Sequence, residues 1–522
     1  MLIDGRGGLV LKRLQKILSS KANLVILAML LQLTIIVGGL IAFMDSFYIF
    51  YSLSIGLSFA VVVWILNDTS NPAYKIAWLI PILVFPVFGG ILYLFFGQIR
   101  LSRGMKRQIK ESEKRIQPLA TQGAENLRKL ESLNADAAMQ SRYLSLNARS
   151  PLWTHTATEY LPSGEMAFES IIQALKKAER FIFLEFFIIG EGRMWETILA
   201  ILVEKAKQGI DVRVMYDDFG CIGRLPSNYE KRLESMEIKC AVFNLLRPFL
   251  SASYNHRDHR KILVVDGRIG FTGGINLADE YINEYERFGH WKDNAIRLEG
   301  DAVASFTLMF LNLWSHARRV QDDNQRCNAF LSARFPSPET DGFVQPYEDS
   351  PLDTELVGEN VYLNIIGKAR RYLYITTPYL IIDNEMLMAL CLAAKSGLDV
   401  RIITPHIPDK WYVHAVTRAN YRALVAGGVR IFEYTPGFIH SKTFVADDMY
   451  GTVGTINLDF RSLYLHFECG VWLYNCKSLL TMRDDFYATL EECKEVTITE
   501  IDAIKIHHKV AGWLLKIFSP LL

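Results

Sequence analysis

The sequence predicts an α/β protein of two halves with the same pattern, preceded by an N-terminal α-helical membrane anchor. Three observations predict this. The first hundred residues hold three long apolar runs. From about Leu152 strand-like runs alternate with helix-like ones, the mark of α/β layers. The alternation then returns in the second half, with nearly the same residues at one join.

The anchor comes first in the chain. Residues 23–44, 47–66 and 76–97 are apolar runs without Asp, Glu, Lys or Arg. Each has about the 20 residues a helix needs to cross the hydrocarbon core. Three runs do not fit a cleaved signal peptide, which is one short run. Buried helices of a globular core are the alternative. Arg6, Lys12, Arg13, Lys16 and Lys21 precede the first run, and Arg100, Arg103, Lys106, Arg107 and Lys110 follow the third. Both flanks are then cytoplasmic by the positive-inside rule, so one run does not cross. Either the third, with Pro81, Pro86, Gly89 and Gly90, is re-entrant, or the first lies in the interface. The expected placement is a multi-pass membrane protein with a cytoplasmic catalytic part. Arg103, Lys106, Arg107, Lys110 and Lys114 recur at helical spacing and suit an anionic membrane surface, or a solvated linker helix.

The alternating part follows. "FIFLEFFII" (181–189) reads as a buried strand, 194–208 as a helix and "DVRVMYDD" (211–218) as the next strand. In the second half "YLYITTPYLII" (372–382), 385–396 and "DVRIITP" (399–405) repeat that order. "AKQGIDVRV" from Ala206 returns as "AKSGLDVRI" from Ala394, 188 residues on, which marks a two-fold internal repeat. The expected division is a basic segment 1–22, an anchor 23–97, a basic linker 98–150, a first domain 151–327, a connecting loop 328–354, a second domain 355–500 and an amphipathic helix 501–522. The formal net charge of +1 supplies no global field for nucleic acid. The seven cysteines are scattered, form no CxxC pair, and read as reduced core residues.

Within the repeat, "HRKILVVDG" from His259 is echoed by "HSKTFVADD" from His440. His259, Lys261, Asp266, Gly273 and Asn276 fall at relative positions 0, 2, 7, 14 and 17, and His440, Lys442, Asp447, Gly454 and Asn457 fall at the same positions. On a strand, residues two apart share a face, so each histidine is paired with a lysine. A hairpin turn at Asp266-Gly267 is expected to bring Gly273-Gly274 opposite His259, with Asn276 just beyond. The small residues there are expected to leave room for a ligand. Two lysines and two asparagines offer charge and donors to phosphoryl oxygens. Two histidines at one phosphorus offer a nucleophile and an acid/base, each steadied by a carboxylate. No metal or cofactor is required.

These residues resemble the phospholipase D superfamily with its paired HxKxxxxD motifs, and within it the bacterial cardiolipin synthases. The resemblance covers nearly the whole chain, through 71–97, 255–281, 376–387 and 437–462. It implies two phospholipase D-like α/β sandwich halves sharing one active site. It implies reversible transfer of a phosphatidyl group between two phosphatidylglycerol molecules, giving cardiolipin and glycerol through a phosphohistidine. His259, Lys261 and Asp266 match the first motif, and His440, Lys442 and Asp447 the second. By the same analogy His259 is the nucleophile and His440 the acid/base. Glu468 matches an acidic residue that supports a catalytic histidine, and Asp293 is expected to do so in the first half. An aspartate at a hairpin turn also has a purely structural reading, which applies to Asp266 and Asp447. Two departures, His466 for Asn and Ile382 for Pro, are expected to stay clear of the His-Lys-Asn sets.

The tail 503–522 places Ile506, Val510, Trp513, Leu514 and Ile517 on one side and Lys505, Lys509 and Lys516 on the other. That pattern suits the membrane interface, or a terminal helix packed on the domain. The rival activities are a phospholipase D-type hydrolase or a transphosphatidylase with another acceptor. A nuclease does not suit the apolar runs and near-zero charge, and a non-catalytic membrane scaffold does not suit two intact motif sets.

Overall fold

In the computed structural model the strand-like runs assemble into two large sheets. The structure describes residues 47–68, 71–85, 123–245, 255–318, 329–331, 342–352 and 355–521, with isolated positions between 30 and 93. In chain order the first half supplies β1 (Thr156–Leu161), β2 (Phe181–Phe186), β3 (Asp211–Asp217), β4 (Lys239–Phe243), β5 (Lys261–Val265), β6 (Ile269–Gly273), β7 (His290–Lys292) and β8 (Ala295–Gly300). The second half supplies β9 (Phe343–Asp349), β10 (Tyr372–Thr376), β11 (Asp399–Pro405), β12 (Arg430–Tyr434), β13 (Gly437–Ile439), β14 (Thr443–Ala446), β15 (Tyr450–Gly454), β16 (Glu468–Tyr474) and β17 (Cys493–Glu495).

The first sheet runs β1-β8-β6-β5-β2-β3-β4 and the second β17-β12-β11-β10-β14-β15-β16-β9. Apart from β17, the two orders are the same. Each has a parallel trio (β2-β3-β4, β10-β11-β12) joined antiparallel to a hairpin (β5-β6, β14-β15). The repeat seen in the letters is therefore a repeat of topology. Its best-matched join has a local cause. Gly209 (φ +85°) and Gly397 (φ +96°) end their helices in the left-handed conformation that glycine adopts without strain. The aspartate that opens each strand then pairs with the arginine two residues on: Asp211 with Arg213 at 2.9 Å and Asp399 with Arg401 at 2.7 Å.

Strand alternation sorts the apolar side chains into layers. On β5, Ile262 and Val264 enter one core while Leu263 and Val265 enter another. The first of these cores lies between the two sheets. It takes Phe181 and Phe183 from β2, Tyr372 and Tyr374 from β10, and Val471 and Leu473 from β16. Helices Val303–Arg318 and Ser478–Glu491 complete it. Helices Gly164–Lys176 and Arg193–Lys207 cover the outer face of the first sheet, and Val357–Lys368, Asn384–Lys395 and Trp411–Ala426 that of the second. Both halves belong to one compact unit, Leu101–Phe243 with His256–Leu522. The six described cysteines are unpaired thiols, five of them buried.

Two expected connectors contain structure. The stretch 328–354 holds β9, the edge strand of the second sheet, hidden in the sequence by Pro346 and the acidic residues around it. A proline is tolerated at a sheet edge, where its missing N–H costs no ladder bond. The stretch 98–150 becomes helical from 123, and Leu130, Ala137, Ala138 and Leu144 are buried in the core of the second half. The basic residues Arg103, Lys106, Arg107, Lys110 and Lys114 lie outside the described residues.

A second compact unit comprises Met1–Arg100 and Asn244–Asn255. Its clearest elements are the helices Phe47–Asn67 and Pro72–Val84. The first apolar run and most of the third lie outside the described residues. Among the residues with described side chains, no helix is long and apolar enough to cross a membrane. The expected multi-pass anchor is therefore not shown.

Candidate active site

Each histidine sits at the entrance of a strand, where the chain crosses to the other half. Just before β5, Asp258 bridges Phe467, and the His259 N–H donates to the Phe467 carbonyl at 2.9 Å. The next residue on that side is Glu468. In the second half β13 runs parallel to β7, and the His440 N–H donates to the Lys292 carbonyl at 2.7 Å. The next residue there is Asp293. The carboxylates are thereby exchanged: His259 Nδ1 lies 2.9 and 3.0 Å from the Glu468 oxygens, and His440 Nδ1 lies 2.8 Å from Asp293 Oδ2. The expectation that Asp293 steadies the histidine of the first half is corrected. The parallel bridges between halves bring the foreign carboxylate nearer than any local one.

A carboxylate on Nδ1 favours the tautomer with its proton there, leaving Nε2 with a lone pair. Both rings line one cavity of about 600 Å³, together with Asn276 and Asn457. Arg224, Arg257, Arg287, Lys410 and Arg461 give its wall positive charge. Burial, then the charges of Lys261 and Lys442, drive the His259 pKa well below its usual value. Burial and Lys442 bring His440 down to about 4. Both rings are thus neutral at pH 7.

Lys261 and Lys442 are almost wholly buried, and neither is on the cavity wall. Each folds back on its own motif: Lys261 Nζ donates to the His259 carbonyl at 2.6 Å, and Lys442 Nζ to the His440 carbonyl. Burial lowers their pKa values to about 8 and about 7. Asn276 is largely committed. Its oxygen accepts from the Ile188 N–H at 3.0 Å and its amide donates to the Tyr281 hydroxyl at 2.8 Å. Asn457 Oδ1 is buried without a partner among the described residues.

Asp266 and Asp447 are elsewhere. Asp266 accepts the backbone N–H groups of Glu179, Arg180 and Phe181 at 2.7 to 2.9 Å. Asp447 accepts those of Arg370, Arg371 and Tyr372 at 2.6 to 3.0 Å. Both aspartates adopt positive φ in the hairpin turns, and their carboxylates anchor the first strand of each parallel trio. They belong to the opposite strand end from the histidines, so their place among the catalytic groups is corrected to the structural reading.

The hairpin register also differs from expectation. Leu263 pairs with Phe271 and Val265 with Ile269, which sets Gly273 against Lys261 rather than His259. Nor do the glycines make room for a ligand. A side chain at Gly273 would meet the backbone of Asn294 and Ala295, and one at Gly274 would strike the Asp293 carboxylate. The repeat counterpart of Gly274 is Thr455, whose hydroxyl donates to Glu468 Oε2. The two histidines are therefore held unequally. Glu468 is fixed by a threonine hydroxyl, and Asp293 by the Asn294 N–H at 2.9 Å and the Trp291 indole at 3.2 Å.

His466 was expected to stand clear and does not. It lines the cavity, with its ring centre 5.6 Å from that of His259 and its Nδ1 3.8 Å from Glu468 Oε1. The signal was its position two residues before Glu468, in the bend that leads into β16. Ile382 does keep away, in the core of the second half. Arg260, unassigned by its spacing, is buried with Glu185 at 2.5 Å and Glu348 at 2.8 Å. It joins the two halves beneath the site.

Comparison with known proteins agrees with this geometry. The family described as "Cardiolipin synthase, PLD-like domain" matches residues 171–314 and 362–490, and the one described as "Phospholipase_D-nuclease N-terminal" matches 56–98. The cardiolipin synthase of Halalkalibacterium halodurans is 33% identical over 87% of this chain and 90% of its own. That of Geobacillus kaustophilus is 32% identical over 94% and 98%. An uncharacterized protein of Streptococcus mutans is 46% identical over 88% and 99%. The solved phosphatidylserine synthase of Haemophilus influenzae shares the fold at a TM-score of 0.55 and 16% identity, over 73% of this chain and 97% of its own. With its two sheets of one topology and its exchanged histidine–carboxylate pairs, the chain belongs to the phospholipase D-like cardiolipin synthase family, a family of phosphatidyl-transferring enzymes.

Proposed function

We propose that the protein makes cardiolipin from two molecules of phosphatidylglycerol at the cavity that its two histidines share. The observation that carries this reading is the exchange of carboxylates, which gives one cavity two neutral imidazoles with Nδ1 on Glu468 or Asp293. In the first step Nε2 of His259 attacks phosphorus. The bond from phosphorus to the glycerol oxygen breaks, and His440, which takes up a proton from solvent once the anionic phosphodiester fills the cavity, hands that proton to the departing glycerol. In the second step the hydroxyl of another phosphatidylglycerol attacks the phosphohistidine. His440 takes that proton back, and the N–P bond breaks. His259 is named the nucleophile because Glu468 meets it with both oxygens and is itself held by Thr455. Lys261 and Lys442 supply charge under the phosphoryl oxygens, and Asn457 lines the same cavity.

Access from a lipid surface is part of the proposal. The helix Ile506–Ile517 rests on Trp411–Ala426 through buried Gly512, where a side chain would meet the Ala415 carbonyl. That leaves Ile506, Val510, Trp513, Leu514 and Ile517 outward, and Ser519 just beyond lines the cavity. An outward apolar face with lysines beside it suits an anionic bilayer interface. The uncharged helix Phe47–Asn67 exposes Leu53, Phe59, Trp64 and Leu66, an apolar surface that by itself suits burial in lipid. The catalytic part then faces the cytoplasm.

The test is acid-quenched turnover of phosphatidylglycerol labelled in the phosphate. The expected result is label on the peptide carrying His259, with glycerol release reduced at least about a thousandfold in His259→Ala and His440→Ala. Unlabelled protein with undiminished turnover in both variants would remove the reading.

A further inference from the structure

His466 is the one histidine of the cavity that the transfer reaction leaves unused. Its side chain is 11% exposed, and both ring nitrogens are buried without a hydrogen-bond partner among the described residues. A buried imidazole with neither nitrogen satisfied is costly unless something fills the gap. Around it stand two further donors. One ring nitrogen each from His259 and His466, and one oxygen of Glu468, all lie within 4.8 Å of one another. Thr455 occupies Glu468 Oε2, so Oε1 is the oxygen that faces His466 Nδ1, at 3.8 Å.

We infer that His259, His466 and Glu468 form a binding site for a divalent transition metal of the zinc type, and that filling it inhibits the enzyme. Zinc bonds of roughly 2.0–2.2 Å to nitrogen and oxygen set tetrahedral ligand atoms about 3.4 Å apart. The 2.9 Å from His259 Nδ1 to Glu468 Oε1 opens slightly and the 3.8 Å to His466 closes slightly, both small side-chain movements. The fourth position opens on the cavity and takes water. Two imidazoles and one carboxylate select zinc-like ions over magnesium or calcium, which prefer oxygen throughout. Lys261, Lys442 and Lys410 act on His259, and Arg461 acts on His466. Of these, Lys261 and Lys442 are turned to backbone carbonyls.

Inhibition follows from the tautomer. A metal on His259 Nδ1 displaces the proton there, which the ring regains from solvent at Nε2, and detaches Glu468 from the ring. The neutral imidazole then carries its one proton on Nε2, where the lone pair for phosphorus had been. The histidine becomes a donor in place of a nucleophile. The metal site itself stands on the cluster alone, while its inhibitory effect rests on the proposed transfer.

Two readouts separate these parts. Titration of the full-length protein in detergent with cobalt(II) reads the site without turnover. A tetrahedral d–d absorption band is expected in the natural protein, lost in His466→Asn and restored in His466→Cys, which returns a ligand. Glycerol release from phosphatidylglycerol micelles with added zinc or magnesium reads the consequence. Zinc, not magnesium, is expected to inhibit reversibly by chelator, and His466→Asn to raise the half-inhibiting zinc at least about tenfold relative to its own zinc-free rate. No cobalt band in the natural protein, or the same band in His466→Asn, would overturn the site. A His466-dependent band without zinc inhibition would leave the site standing and remove its inhibitory role.

Discussion

At the scale of single residues, the site turns on which atom each carboxylate holds. Glu468 and Asp293 orient rings from the opposite half, so Glu468→Gln and Asp293→Asn are expected to lower kcat by about 10²–10⁴ without unfolding the protein, read as glycerol release beside a thermal melt. Titration gives a second expectation. In the empty site burial holds Lys442 at about 7 and Lys261 at about 8. The kcat/KM profile for phosphatidylglycerol is therefore expected to fall as pH rises through 7 to 8, where these lysines lose charge. Folding stability carries the opposite sign for this pair. Their folded pKa values lie below the ordinary 10.5, so the unfolded chain binds more protons in that window and stability rises with pH there. His440, at about 4 against an ordinary 6.5, loses its contribution as pH falls from 6.5 toward 4. Chemical denaturation across pH checks both windows.

At the scale of elements, the motif has two ends with different work. The histidine end enters the cavity, and the aspartate end ties a hairpin turn to a neighbouring strand. Asp266→Asn and Asp447→Asn are each expected to cost about 2 kcal/mol of stability, through charge-assisted bonds to three amides, with kcat per folded molecule retained. Paired melts and activity assays check this. Most of this level was legible in the letters. The positions 0, 2, 7, 14 and 17 located both strands and both turns, and "GxDVR" located the helix ends and the Asp–Arg pairs. What stayed hidden was register and partnership across the halves. Spacing along one strand does not say that Phe467 lies beside Asp258, and so not that Glu468 serves His259. His466 was passed over for the same reason. A proline concealed β9, because a sequence does not mark which strand is an edge.

At the scale of the whole molecule, the exchange makes the halves interdependent: each imidazole is catalytically oriented only when the other half is docked. Arg260, linking Glu185 with Glu348 beneath the site, fastens that docking. The lipid-facing reading belongs here too. Trp513→Ser with Leu514→Ser is expected to weaken sedimentation with phosphatidylglycerol vesicles and to raise KM, with kcat on micelles near the natural value. The central claim is that the acceptor hydroxyl belongs to a second phosphatidylglycerol. Mass spectrometry of the products formed from phosphatidylglycerol alone tests it most directly. The predicted result is diphosphatidylglycerol and free glycerol in equal amounts. Phosphatidic acid as the sole lipid product would contradict it and assign the acceptor to water.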